Sequence, residues 1–304
     1  MNNPFTIDNN NKNKFTYKEY ISKILSANDS LFLFDYKNKF VPDKLYKYAI
    51  LPSVPKDRKK YLTSLKEEKI WFSRKDILND PFELQYSYID FYSNEGKEFF
   101  ANSVNNTGIF CLSKNPLNKL MWSHYAQAHK GYCIEYNVVN KDLIFPVEYR
   151  RTRPNFSELY NNFMSVKDIL AERLLNSGYE ENYPLEKAVF ALAAMNNYKD
   201  ACWDYEKEFR ITSIKSDQKE GFLEMPTNLI MTKIICGINC SGPDKADLQS
   251  VCDHVNKKRL KEVVNNNKDI PAKWLSERFY KRNEDVKLYK VYYDDKLKLH
   301  KKHV

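Results

Sequence analysis

The densest run of reactive side chains in the sequence is Trp203-Asp-Tyr-Glu-Lys-Glu-Phe-Arg210. On a β-strand, side chains two apart share a face and stand about 6.6 Å from one another. A strand here turns Glu206, Glu208 and Arg210 one way and Tyr205, Lys207 and Phe209 the other. Two carboxylates beside one guanidinium can divide the chemistry between them. The one paired with Arg210 stays ionised, and its neighbour is pushed towards a higher pKa, so that one face offers both a fixed negative charge and a group that takes or gives a proton. The alternative is a solvent-facing strand with ion pairs along it and Phe209 in the core.

Three further clusters hold chemically useful types. In Asn79-Asp-Pro-Phe-Glu83, the proline holds Asp80 extended, and Asn79 and Asp80 are ready to bond the turn backbone. A helix start with Asp80 as its cap and Pro81 in first position accounts for the same residues, but not for Glu83. Leu120-Met-Trp-Ser-His-Tyr-Ala126 puts Trp122, His124 and Tyr125 on one turn of a helix. There His124 or Tyr125 could serve a cleft as acid or base, while Met121 and Trp122 suit a core. Cys236, Cys240, Cys252 and His254 have zinc-like types, but Cys252 and His254 lie about 200° apart around a helix and diverge. No metal site is assigned.

Short strands alternating with helices must position these groups. Strands are expected at 45–48, 70–73, 108–113, 131–136, 145–149, 206–212 and 233–238, with closing strands at 286–293 and 296–300. Helices are expected through Leu62 and Leu65, across 120–128, and from Ser241, which can cap with Pro243 in the first turn. An Asn/Lys-rich start and an amphipathic segment carrying Phe15, Tyr20, Ile21, Ile24 and Leu25 make residues 1–43 an N-terminal extension. Residues 44–300 read as one α+β domain, 301–304 as a basic tail. Between about 156 and 201 the period turns helical, which reads as a helical insertion or cap.

Composition removes several classes. With 7 glycines in 304 residues, none spaced Gly-x-Gly, the chain has no dinucleotide-binding glycine turn and no phosphate-cradling P-loop. No Gly-x-Ser-x-Gly elbow occurs. The formal charge of +9 comes from 39 Lys and 10 Arg, and Lys is the poorer reader of bases and phosphates. A solvated basic surface accounts for it better than a dedicated nucleic-acid face. No run of 18 apolar residues is present, and no membrane partner is expected. Six irregularly spaced cysteines suit reduced thiols in the cytoplasm.

Leu45-Tyr-Lys-Tyr48, Phe72-Ser73, Asn79-Asp-Pro-Phe-Glu83, Met121-Trp-Ser-His-Tyr-Ala126, Gly131-Tyr-Cys-Ile-Glu135 and the 203–210 run together resemble a bacterial family, domain of unknown function 2971, over roughly residues 44–300. Its name brings no reaction. Members occur in bacterial and phage genomes, sometimes near defence genes, which implies a toxin or phage-defence effector.

The order of strands is in turn similar to the ADP-ribosyltransferase superfamily, which implies a mixed or antiparallel split sheet and NAD as substrate. That resemblance gives Lys47 the role of orienting NAD, Ser73 that of supporting the nicotinamide ribose, and Glu208 that of acting on the reacting sugar, with Glu206 as acidic partner. Lys47 stands where the superfamily usually has Arg or His, and Ser73 lacks the Ser-Thr-Ser setting. Tyr48, Trp71, Trp122 and Tyr125 are candidate cleft walls; Asn79, Asp80, Glu83 and Arg210 join the binding set and His124 the catalytic one. The acceptor would be nucleic acid or protein. The other readings are a divalent-metal nuclease built on Asp80, Glu83, Glu206 and Glu208, or a nucleic-acid-binding protein, and a non-catalytic interaction domain.

Overall fold

The chain is described by a computed structural model over residues 14–26, 32–74, 77–80, 107–152, 197–214, 221–224, 228–266, 285–296 and 298–304. Helices α1 (Tyr17–Ser26) and α2 (Phe32–Asn38) precede strand β1 (Lys44–Ala49), helix α3 (Pro55–Lys66) and strand β2 (Ile70–Ser73). Next come β3 (Thr107–Ser113), α4 (Lys119–Tyr125), β4 (Tyr132–Val138), β5 (Ile144–Pro146), β6 (Glu148–Arg150) and β7 (Tyr198–Asp200). A 3₁₀ turn (Ala201–Glu206) leads into β8 (Glu208–Ile214), β9 (Gly221–Glu224) and β10 (Leu229–Cys236). Helix α5 (Gly242–Asn266), β11 (Lys287–Tyr293) and β12 (Leu299–His303) close the chain.

The fold is α+β around a curled, mostly antiparallel sheet ordered β12-β11-β10-β4-β1-β3-β2-β9, with β8 on β3 and β5 on β8. Within this sheet β10–β11 is a parallel pair. A small second sheet joins β6 and β7, also in parallel.

Strand alternation decides which residues meet. Leu45, Phe110, Leu112, Ile134, Phe209, Ile211 and Ile234 fill one core together with Leu248, Val251 and Val255 of α5. Tyr46, Tyr48, Cys133, Ile235 and Val291 form a second core with Met121 and Trp122 of α4. Gly131 begins the turn into β4 because a Cβ there would stand 2.2 Å from the carbonyl oxygen of Ala49. At the start of α5, Ser241 Oγ accepts the N–H of Asp244 at 3.1 Å, so the helix begins where the sequence places its cap.

Several expected boundaries move. The strand expected over 206–212 begins at Glu208, because Glu206 ends the 3₁₀ turn and Lys207 takes a left-handed φ of 45°. The helix expected across 120–128 stops at Tyr125, since Gln127, Ala128 and His129 all have positive φ. The strand expected at 145–149 divides into β5 and β6. Of the helical insertion expected at about 156–201, residues 156–196 lie outside the described residues, and 198–200 form strand β7 instead. Residues 301–303 belong to β12 rather than to a tail.

The N-terminal helices pack on the strands that lead to the carboxylates. Tyr17 is fully buried, its N–H bonding Glu148 Oε2 at 2.8 Å and its hydroxyl donating to the carbonyl of Pro146 at 2.9 Å. Of the amphipathic set, Phe15 and Tyr20 are buried; the side chains of Ile21, Ile24 and Leu25 lie outside the described residues. Among the described residues no helix is long and apolar enough to cross a membrane.

Candidate functional site

Strand β3 is the hub of the site. One of its edges pairs with β8 along the whole strand, from Thr107↔Ile214 to Ser113↔Glu208. Its other edge is shared, with β1 meeting it at Ser113 and β2 at Ile109. Between those two contacts, residues 110–112 have no cross-strand partner on that edge among the described residues.

A cleft of about 180 Å³ opens at this gap. Its walls include Tyr46, Lys47 and Tyr48 of β1, Ser73 of β2, Ile109, Cys111 and Ser113 of β3, Tyr125 of α4, Lys199 of β7, and Glu206 and Glu208 on either side of Lys207. Asn79 lines it as well. Lys47 follows Leu45 onto the opposite face of β1 from Tyr46 and Tyr48, with its ammonium over the core ring of Phe110, 5.1 Å from its centre.

The two carboxylates are held by different partners. Arg210 grips Glu208 in a fork, Nε to Oε1 at 2.8 Å and a terminal nitrogen to Oε2 at 2.9 Å. Such paired, charge-assisted bonds fix both position and charge. Lys199 Nζ lies 2.6 Å from Glu206 Oε2 and 3.5 Å from Glu208 Oε2, and it also donates to Asn79 Oδ1 at 3.1 Å. The hydroxyl of Tyr125 donates to Glu206 Oε1. Asn79 Nδ2 stands 3.5 Å from the same oxygen.

These surroundings separate the two pKa values. Burial would raise the Glu208 carboxyl, but Arg210 and then Lys199 overcome it and hold the group at about 2. Glu206 moves the other way, raised by burial and by the charge of Glu208 against the pull of Lys199. A fixed anion and a group closer to proton exchange thus share one cleft. Burial also raises the Tyr125 hydroxyl, reinforced by Glu206, so the tyrosine is a donor and not an anion.

Backbone bonds set this geometry. Ser113 Oγ donates to the carbonyl of Glu206 at 2.6 Å, and the N–H of Glu208 donates to the Tyr149 hydroxyl at 2.7 Å. Asn118 caps α4, its Oδ1 accepting the N–H groups of Leu120 and Met121, while its Nδ2 donates to the carbonyl of Tyr205 at 2.8 Å. One side chain thereby links the helix of Tyr125 to the turn of Glu206.

Lys47, Tyr48, Ser73, Asn79, Tyr125, Glu206 and Glu208 thus meet at one cleft. Other candidates stand elsewhere. His124 is exposed, with its ring 6.1 Å from that of Tyr205, because α4 turns it outward. Trp122 is fully buried with its edge against Tyr48 and its N–H on the carbonyl of Pro116, which makes it core and not cleft wall. Arg210 acts through Glu208 from a buried position off the cleft lining, and Asp80 is buried outside that lining. Glu83 lies outside the described residues.

Lys199 and Tyr149 are site residues that sequence reasoning did not select. Lys199 sits in Tyr198-Lys-Asp200, just before the 203–210 run, and its place beside that run was the available signal. The Lys199 ammonium bridges the two carboxylates, Glu206 at 2.6 Å and Glu208 at 3.5 Å. Among the described residues no group of His, Cys, Asp and Glu side chains is arranged to hold a metal.

The class defined by fold and site is thus an α+β protein with a carboxylate pair in a sheet-gap cleft. Residues 121–211 match a family described as protein of unknown function (DUF2971). That stretch carries Tyr125, Tyr149, Lys199, Glu206, Glu208 and Arg210, most of the polar framework of the cleft. No curated protein and no solved structure matches the chain.

Proposed function

We propose that the chain is an ADP-ribosyltransferase-like enzyme that consumes NAD, transferring ADP-ribose to an acceptor or to water. The observation that carries this reading is the meeting of Lys47, Ser73, Glu206 and Glu208 on one cleft, although they come from separate strands and a turn. Breaking the bond between nicotinamide nitrogen and ribose C1′ releases nicotinamide with the bonding electrons and leaves positive charge on the sugar. Glu208, held ionised by Arg210, stabilises that charge as carboxylates do in glycoside hydrolysis. An acceptor hydroxyl then bonds C1′ and gives its proton to Glu206, whose raised pKa suits it to take one.

The neighbours have matching tasks. Tyr125, Asn79 and Lys199 fix the oxygens of Glu206, so the base meets the acceptor in one orientation. Ser73 offers a hydroxyl to the nucleotide from the other side of the gap, and Lys47 lines the gap with its ammonium over Phe110. A toxin or defence role would follow from such consumption of NAD in a cell.

Purified protein incubated with NAD labelled in its adenylate half, with and without cell extract, tests the reaction. Label on a macromolecule or as free ADP-ribose is expected. Neither product, where a control transferase gives both, would reject the proposal.

A further inference from the structure

A second polar cluster lies on the same face of the sheet. Glu135 of β4 is 1% exposed, yet three ammonium groups reach it: Lys233 at 2.7 Å and Lys44 at 3.3 Å on Oε1, and Lys301 at 3.0 Å on Oε2. The Tyr46 hydroxyl donates to Oε2 at 3.2 Å. A register shift between Met231 and Lys233 lets Thr232 approach the same carboxylate, with its hydroxyl 3.2 Å from Oε1. Lys301 also stands over the ring of Tyr46 and Lys233 over that of Tyr289, so both ammoniums are held in place.

One carboxylate balances one ammonium. Among the described residues, two positive charges are left over on side chains that remain partly open to solvent, Lys44 being 50% exposed, Lys301 25% and Lys233 23%. The cluster is joined to the cleft by a row of paired residues that crosses five strands: Lys233↔Glu135, Glu135↔Tyr46, Tyr46↔Ser113 and Ser113↔Glu208. Three strand spacings separate Glu135 from Glu208, about 14 Å. Tyr46 belongs to both, lining the cleft and bonding Glu135.

We infer that Lys44, Lys233 and Lys301 form an anion-binding shelf, organised by Glu135, that receives the phosphate groups of a nucleotide ligand. A diphosphate diester carries two negative charges, which matches the excess on the shelf. This assignment rests on the proposed reading only for the nucleotide as the source of the phosphates. The organising glutamate spaces the three ammoniums before a ligand arrives, which lowers the cost of gathering like charges at binding.

Calorimetric titration with pyrophosphate and with ADP-ribose tests the shelf without any turnover. Wild type should bind both, and Lys233→Ala/Lys301→Ala should weaken both at least tenfold. Lys59→Ala/Lys60→Ala removes the same charge from exposed positions on α3, which packs on the opposite face, and should change either affinity less than twofold. Lys301→Ala alone, near the end of the chain, gives the same readout should the double variant unfold. Undiminished binding in the shelf variants, or equal losses in both double variants, would overturn the assignment. A protein that binds pyrophosphate through the shelf but leaves NAD intact would keep the anion site and lose the enzymatic reading.

Discussion

Lys199 and Glu206 form a sealed ion pair, 2.6 Å from nitrogen to oxygen, with 2% and 3% of their side chains exposed. The lysine comes from the strand before the 3₁₀ turn and the glutamate from the end of that turn, so the pair closes a short loop of chain onto itself. Lys199 also faces Glu208 at 3.5 Å. One ammonium therefore holds both carboxylates of the cleft in reach of one ligand.

Removing that ammonium leaves two buried carboxylates short of a cation. Lys199→Met should destabilise the protein by about 3 kcal/mol, the scale on which a buried ion pair loses one partner. Urea unfolding at neutral pH measures it. The variant should also raise the Glu206 pKa further, because the cation that opposes burial is gone, and shift the acidic limb of any activity profile to higher pH.

Glu208 gives stability a defined dependence on pH. Its folded pKa of about 2 is depressed from 4.5, so the stabilisation is fully present above 4.5 and is lost as pH falls from there through 2. Glu135, also held at about 2 by Lys233 and Lys301 against burial, adds to the same window. Wild-type urea midpoints should fall between pH 5 and pH 3, and Glu208→Gln should flatten that decline. A Glu208→Gln protein with the full wild-type slope would reject the assignment.

Asn118 separates capping from positioning. Asn118→Ala removes the cap and should cost about 1 kcal/mol. Asn118→Asp keeps an oxygen for the N–H groups of Leu120 and Met121 but loses the bond to the Tyr205 carbonyl. It should melt close to wild type while lowering turnover of NAD several-fold, with KM nearly unchanged. Thermal melting and steady-state kinetics read the two effects apart.

The N-terminal helices should prove part of the fold. Tyr17→Ala empties a fully buried aromatic position and removes the hydroxyl bond to Pro146, with an expected loss of about 3 kcal/mol. Tyr17→Phe retains the ring and should lose about 1 kcal/mol. Chemical denaturation of the two variants distinguishes packing from the hydrogen bond.

The carboxylate pair was legible because its parts lie within one short run, Glu206 to Arg210, where residue type and spacing speak directly. The route by which the pair converges was not. A left-handed Lys207 has no glycine to announce it, so the turn between the carboxylates read as continuous strand. Lys199 stood in a segment read as the end of a helical lobe, and its pairing with Glu206 depends on where the 3₁₀ turn folds it. The cleft arises from β1 and β2 meeting β3 at different points, a matter of register between distant strands that local pattern does not encode. In α4, aromatic character suited core and cleft alike; helix direction sent Trp122 inward, Tyr125 to the cleft and His124 to solvent.

If the Glu206 and Glu208 pair acts on the ribosyl bond of NAD, nicotinamide must leave the cleft as a free product. Chromatography of nicotinamide released from NAD, by wild type and by Glu208→Gln shown by circular dichroism to be folded, reads that step alone. Steady release by wild type and a loss of at least a hundredfold in the variant are expected. Equal release by both proteins, or none by wild type with and without cell extract, would refute a carboxylate-driven cleavage of NAD.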